Sequence, residues 1–231
     1  DATESPRCRF DEGDSGAKRV VLFGDSHALQ YSPALLKIAR EKKWNLTVLT
    51  RGNCLPADTD FKEYCDRWRR ATLDRIEKEE KPDLTVVASS TLDVYSLKRG
   101  GRKLSRTESQ PLLVDAMTET FERLKRSSDK VVLIRDQARS PFLPFECVAE
   151  NPKKLKRCVF EPNRRDDWDF DFKSAQKAGV PVVDPMPILC RENKCPSVIG
   201  NALVYRDTYH ISATYSKTIA GWLGNQLENA G

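Results

Sequence analysis

The chain has only two histidines, His27 and His210, and no C-x-x-C pair, so the usual ligand spacing of a structural zinc site is missing. It also lacks any apolar run approaching the ~18 residues of a membrane helix. Its first residues, DATESPRC, carry neither the basic nor the apolar region of a signal peptide. If the protein is exported, its targeting part is expected to lie outside this sequence. Charge is not segregated by sign: 39 Lys and Arg interleave with 34 Asp and Glu without a long basic block. A net charge of +5 spread in this way argues against a nucleic-acid partner, and no metal or other cofactor is expected.

What is present is the composition of a folded domain. At 231 residues, with 39% hydrophobic and 32% charged residues, the chain fits one globular domain with a sizeable core spanning 1–231. Seven cysteines are unusual for a reducing compartment. Six of them fall in three local groups, NCLPADTDFKEYC (Cys54, Cys65), ECVAENPKKLKRC (Cys147, Cys158) and LCRENKC (Cys190, Cys195), each of a kind that would staple a surface loop. Spacing alone does not select among the pairings that seven cysteines allow. Cys8 is left over, which suggests a partner upstream of Asp1 or a free thiol.

Short Val/Leu/Ile runs alternate with helical patterns. RVVLFG, NLTVLTR, DLTVVAS, KVVLIRD and VPVVD read as strands. Between them SPALLKIAREKK, DRWRRATLDRIEKEEK, QPLLVDAMTETFERLKR and DFKSAQKAG read as helices, with SATYSKTIAGWLGNQLE last. Ser32 and Ser212 are expected N-caps and Pro33 suits a first helical turn. Nearly continuous apolar strands separated by helices imply a parallel sheet covered on both faces. Two polar stretches, Ser96 to Thr107 and Pro141 to Trp168, interrupt the alternation as surface excursions. Of the four tryptophans, Trp44, Trp68, Trp168 and Trp222, the last has helical core spacing, and Trp168 is the best candidate for an exposed sugar platform.

The first strand ends on GDSH, Gly24 to His27, and ligands of parallel α/β sheets bind at the carboxyl ends of strands. Gly24 allows a sharp turn, and Ser26 then opens a helix whose free N–H groups favour developing negative charge. The plainer alternative is that Asp25 and Ser26 merely cap that helix. A nucleophilic serine needs a base and an orienting acid. His27 adjoins Ser26 too closely to serve easily, which leaves it a structural or supporting role. His210, in YRDTYHIS, follows Asp207 by three residues, and a helical turn would bring the two side chains to one face.

GDSH near the N-terminus with DTYH near the C-terminus resembles the SGNH (GDSL-type) hydrolase superfamily. VVLFGDSHALQYSPAL, LTRGNCLPAD, PDLTVVASSTLDVY and the LCRENKC to YRDTYHIS region together resemble the SGNH domain fused to bacterial membrane acyltransferase-3 proteins. The resemblance implies a three-layer α/β/α sandwich with a central parallel sheet and disulfide-stapled loops. It implies Ser26 as nucleophile, His210 as general base and then acid, and Asp207 as the residue orienting His210. The oxyanion donors implied are the Ser26 N–H and a backbone N–H at Gly52 or Asn53. Where the superfamily has its G-x-N-D block this chain reads STLD, Ser90 to Asp93. Leu92 there cannot donate a hydrogen bond, and Ser90 is the substitute suggested. The further implications are an absent N-terminal membrane domain that delivers the acyl group, an envelope glycan or glycolipid acceptor, and an extracytoplasmic, membrane-tethered location. The activity implied is O-acyl transfer, with acetyl the expected group, and the alternatives are an O-acetyl-esterase or lipase using water and a non-catalytic glycan-binding domain.

Overall fold

The computed structural model describes residues 5–6, 8–60, 62–91, 97–163 and 169–230. At its centre a six-stranded sheet forms from β1 (Arg9–Asp11), β2 (Arg19–Gly24), β3 (Asn45–Thr50), β4 (Leu84–Ala88), β5 (Lys130–Ile134) and β6 (Val182–Val183), in the order β1-β3-β2-β4-β5-β6. Five strands run parallel, as the apolar runs predict; β1 adds an antiparallel edge on β3. The sheet is therefore mixed, and β1 was not foreseen because RFD has one apolar residue and no periodicity to reveal a strand.

Alternation along the strands supplies both faces. Val20, Leu22, Val86 and Val132 point to one cluster, which is covered by α2 (Ser32–Lys42) and by the helices Ala213–Thr218 and Ala220–Asn229. Val21, Phe23, Val87 and Leu133 point to the other, covered by α3 (Glu63–Arg75), α4 (Arg106–Ser127) and the helix Phe170–Ala178. The result is the expected three-layer α/β/α sandwich. Trp44 and Trp68 are buried in these layers and Trp222 packs partly buried against the first, so none of the three is an open platform; Trp168 lies outside the described residues.

Two local expectations are corrected. Ser32 does not cap α2; it is the first residue of that helix. The short helix α1 (Ser26–Leu29) runs on through Tyr31, whose N–H already bonds Ala28 O, so the chain enters α2 in helical conformation with no end to cap. The last helix is interrupted at Ile219 rather than continuous, although Ser212 caps its start by accepting from Tyr215 N at 3.1 Å. The longest helix carries a box that propensity alone does not reveal: Ser105 Oγ accepts from Glu108 N at 3.2 Å while Glu108 accepts from Ser105 N at 2.7 Å. Ser105→Ala is expected to lower stability by about 1 kcal/mol, read as a shift in the urea midpoint.

The cysteines pair locally, Cys54–Cys65, Cys147–Cys158 and Cys190–Cys195, while Cys8 is exposed and unpaired. The second excursion is less open than its polarity suggests. Val159–Phe160 pairs with Cys195–Pro196, and Phe160 packs on Tyr205 and Phe142, so residues 141–163 are tied to the segment that leads into the last helices. No helix among the described residues is long and apolar enough to cross a membrane.

Candidate active site

The β2 strand ends between β3 and β4, and its last residue has φ +148°, a conformation that only glycine holds without strain. A Cβ on Gly24 would lie 1.9 Å from Ala88 O, so the close approach also demands glycine. Asp25 follows, fully buried, and its carboxylate does two things. One oxygen caps α1 by accepting from His27 N at 2.8 Å; the other accepts from Ser90 N at 2.9 Å and from Ser89 Oγ at 3.4 Å. The turns after β2 and β4 are thereby locked together, with Ser26 at the first position of α1.

Asp207 and His210 arrive on a different element, the segment between a bridge at Tyr205 and its partner Ile211. It is a loop, not the helical turn expected: Asp207 Oδ1 accepts from Tyr209 N at 2.9 Å and His210 N at 2.7 Å, while Arg206 N donates to His210 O at 3.0 Å. A short acid folding the backbone onto itself achieves the same juxtaposition that a helix would. His210 Nδ1 lies 2.8 Å from Asp207 Oδ2, and His210 Nε2 lies 2.8 Å from Ser26 Oγ. Three residues separated by up to 184 positions therefore form one unbroken hydrogen-bonded line at the carboxyl edge of the sheet.

The loop is held from two sides. Gln30, at the end of α1, accepts from Ile211 N at 2.7 Å and donates to Gln137 Oε1 at 3.0 Å; Gln137 in turn donates to Tyr209 O. Ser140 N donates to Thr208 O at 2.7 Å. Gln30 directly follows the helix that Ser26 opens, and Gln137 comes from the segment after β5, so both anchors are tied to the sheet.

Comparison with known proteins gives this arrangement a family. The family described as "SGNH domain (fused to AT3 domains)" matches residues 1–223. The chain belongs to that family. No curated protein sequence matches it. Among solved structures it is similar to the periplasmic domain of a lipopolysaccharide acetyltransferase from Salmonella ser. Paratyphi A, at 18% identity over 94% of this chain and 85% of that one, with a TM-score of 0.73. It is also similar to a GDSL-like lipase from Bacteroides thetaiotaomicron, at 15% identity over 95% and 92% of the two chains, with a TM-score of 0.53. At these identities the likeness is one of fold.

Within this SGNH domain the charges of His210 and Asp207 are biased by their surroundings. Burial is the main influence on His210 and lowers its proton affinity; the hydrogen bond that its Nδ1 donates to Asp207 works the other way, and the net shift is below the ordinary imidazole value. Asp207 is pushed up by partial burial but is held lower still by the N–H groups of Tyr209 and His210 and by the His210 ring. The arrangement favours a neutral imidazole beside a carboxylate, the pair of states a general base requires.

The other sequence-derived candidates divide. Gly52 and Asn53 lie exposed in the turn after β3, and that turn is drawn to the site because Arg51 N donates to Gly24 O at 3.1 Å. Asn53 is left-handed there, with φ 59°. Ser90 is buried beside Asp25, and its backbone N–H is committed to that carboxylate, so this N–H does not serve a substrate oxygen. Leu92 and Asp93 lie outside the described residues. Among the described residues no group of three or more His, Cys, Asp or Glu side chains is placed to hold a metal.

Sequence reasoning missed Gln30, Gln137 and Asp136. Glutamines leave no spacing signature. Asp136 had one: it ends KVVLIRD at the carboxyl edge of a parallel strand, the same position that drew attention to GDSH. His27, expected in a structural or supporting role, donates through Nδ1 to that Asp136 at 2.6 Å, both side chains being buried.

Proposed function

We propose that this SGNH domain is the acyl-transferring part of an O-acyltransferase, moving an acyl group, acetyl by preference, through a Ser26 ester to a hydroxyl of a cell-envelope glycan or glycolipid. The observation that carries the reading is the Ser26–His210–Asp207 line, with 2.8 Å at both joints. His210 Nε2 takes the proton from Ser26 Oγ as that oxygen attacks the donor's carbonyl carbon. The tetrahedral intermediate collapses, its leaving group departs with the proton from His210, and the acyl group stays on Ser26. The acceptor hydroxyl then repeats the sequence: it gives its proton to His210, attacks the ester carbon, and Ser26 leaves with that proton.

Negative charge on the carbonyl oxygen falls to the Ser26 N–H, which at the first position of a helix has no intrahelical acceptor. A backbone N–H of Gly52 or Asn53 is the second donor proposed. If the chain has only these, the hole is poorer than one with a side-chain amide, which is worth roughly two to three orders of magnitude in rate. Membership of a family fused to AT3 domains supports a donor group delivered by a membrane domain on the same polypeptide and a domain lying outside the cytoplasm. The similar Salmonella domain is periplasmic and belongs to a protein named for acetylating lipopolysaccharide, which supports a glycolipid or glycan acceptor.

A hydrolytic reading draws on one feature: Asp207 is about one third exposed and Tyr209 somewhat more, so water reaches the same triad. The experiment is 4-nitrophenyl acetate turnover by the purified domain with and without methyl glucoside, with products weighed by mass spectrometry. Acetylated glucoside formed at the expense of acetate is expected. Acetate release unchanged by acceptors of several sugar types would favour the esterase, and no turnover at all would return the fold to glycan binding.

A further inference from the structure

Beside the proposed triad sits a second imidazole–carboxylate couple that the reaction as written does not use. Asp136 Oδ1 is 2.6 Å from His27 Nδ1 and accepts from Gln137 N at 3.1 Å; its Oδ2 accepts from Thr91 N at 2.8 Å and Thr91 Oγ1 at 3.0 Å. Donors on both oxygens stabilise the anion in a buried place where a bare carboxylate would take up a proton. The other ring nitrogen, His27 Nε2, is buried without a hydrogen-bond partner. The His27 ring lies with its centroid 4.9 Å from that of His210 and is stacked nearly parallel to Tyr209.

We propose that His27, locked by Asp136, is a positioning residue for His210: a buried cation that keeps the base neutral, and so able to take the Ser26 proton, at lower pH than a lone imidazole allows. The inference rests on the reading of His210 as base. Burial alone lowers the proton affinity of His27, but the charge and hydrogen bond of Asp136 outweigh it, and Asp25 adds to them. Arg139 opposes, and is the cation that faces the ring from the segment after β5. Asp136 is itself held below the usual carboxylate range: burial pushes it up, and His27 with Thr91 pull it further down. Two imidazolium rings at this separation repel, so a charged His27 penalises protonation of His210; Arg206 on its own loop works the same way, and the hydrogen bond and charge of Asp207 oppose both. Asp171, which accepts from Asp136 N at 3.4 Å, is pushed well above the usual carboxylate range by burial and by the charges of Asp169 and Asp136. A couple serving only to tie α1 to the end of β5 would need no charge on the ring.

The two-histidine composition makes the test direct. Imidazole 15N and 13C resonances of the intact domain report two rings, and His27→Gln leaves one, which assigns both. In the wild type His27 is expected to be doubly protonated at pH 7 while His210 is neutral. In His27→Gln, whose amide retains a donor for Asp136, the His210 midpoint is expected to rise by about one pH unit. The acid limb of 4-nitrophenyl acetate hydrolysis should move with it, a roughly tenfold loss on that limb, with the high-pH plateau within about threefold of wild type. A neutral His27 at pH 7 in the wild type, or a His210 midpoint that stays put in His27→Gln, overturns the proposal. If His27→Gln fails to fold, Asp136→Asn addresses the same point: His27 should then lose its proton by pH 7 and the His210 midpoint should rise, and an unmoved midpoint again overturns it. The resonances are read without catalysis. Coupled titration of the rings in a domain whose Ser26→Ala variant is as active as wild type would sink the serine mechanism and leave the coupling intact.

Discussion

Ser26→Ala is expected to lower 4-nitrophenyl acetate turnover by about four orders of magnitude or more, because removing the proposed attacking atom leaves only binding and the oxyanion donors to act on water. The fold should not notice the change. Ser26 Oγ has the His210 ring as its hydrogen-bond partner, whereas the turn is held by Asp25 and Gly24. The variant should therefore match wild type in its urea midpoint to within about 0.5 kcal/mol. Steady-state kinetics together with a denaturation curve check both halves. Residual activity above about one hundredth of wild type would mean that another nucleophile, or water activated by His210 directly, carries the reaction.

Gly24→Ala should do the opposite, abolishing the fold before any question of activity arises. The residue needs a φ that alanine does not hold without strain, and its new methyl group would meet Ala88 O at 1.9 Å and Ala28 Cβ at 2.9 Å. Ala88 is the strand partner of Gly24, so relief by moving β4 would break the central pairing of the sheet. Strain and clash together are expected to remove about 4 kcal/mol or more, a large part of the whole margin of an ordinary domain. The measurement is the urea midpoint of the soluble fraction. A variant within about 1 kcal/mol of wild type would show that β2 ends in a more yielding turn than the structure implies.

These two neighbours illustrate how unevenly the site was legible. Gly24 and Ser26 stand out because the continuous apolar strand stops on residues that pack badly, and because the carboxyl end of a parallel strand is where such residues have a use. Asp207 and His210 stand out because there are so few histidines to consider. The Asp25 carboxylate was open to the plainer reading as a cap, and it is one, yet it also fastens the Ser90 turn and so orders the floor of the site. The Gln30–Gln137 clamp left no trace in the sequence, since neither residue belongs to a pattern and their meaning lies in being close.

What the amino-acid sequence determined by itself is the set of local choices. Apolar runs of strand length, amphipathic helices between them, a glycine where the chain must turn, and an acid three residues before a histidine are all dictated by short-range sterics and periodicity. The paired faces of the sheet follow, because strands apolar on both sides have to be covered on both. Only the tertiary structure decided which distant residues meet: that the loop at 207–210 lies over α1, that Asp136 reaches His27, and that the Ser90 N–H is already taken. Those contacts depend on the order of strands in the sheet and on loop paths, and both come from summed packing over the whole domain rather than from any window of the chain.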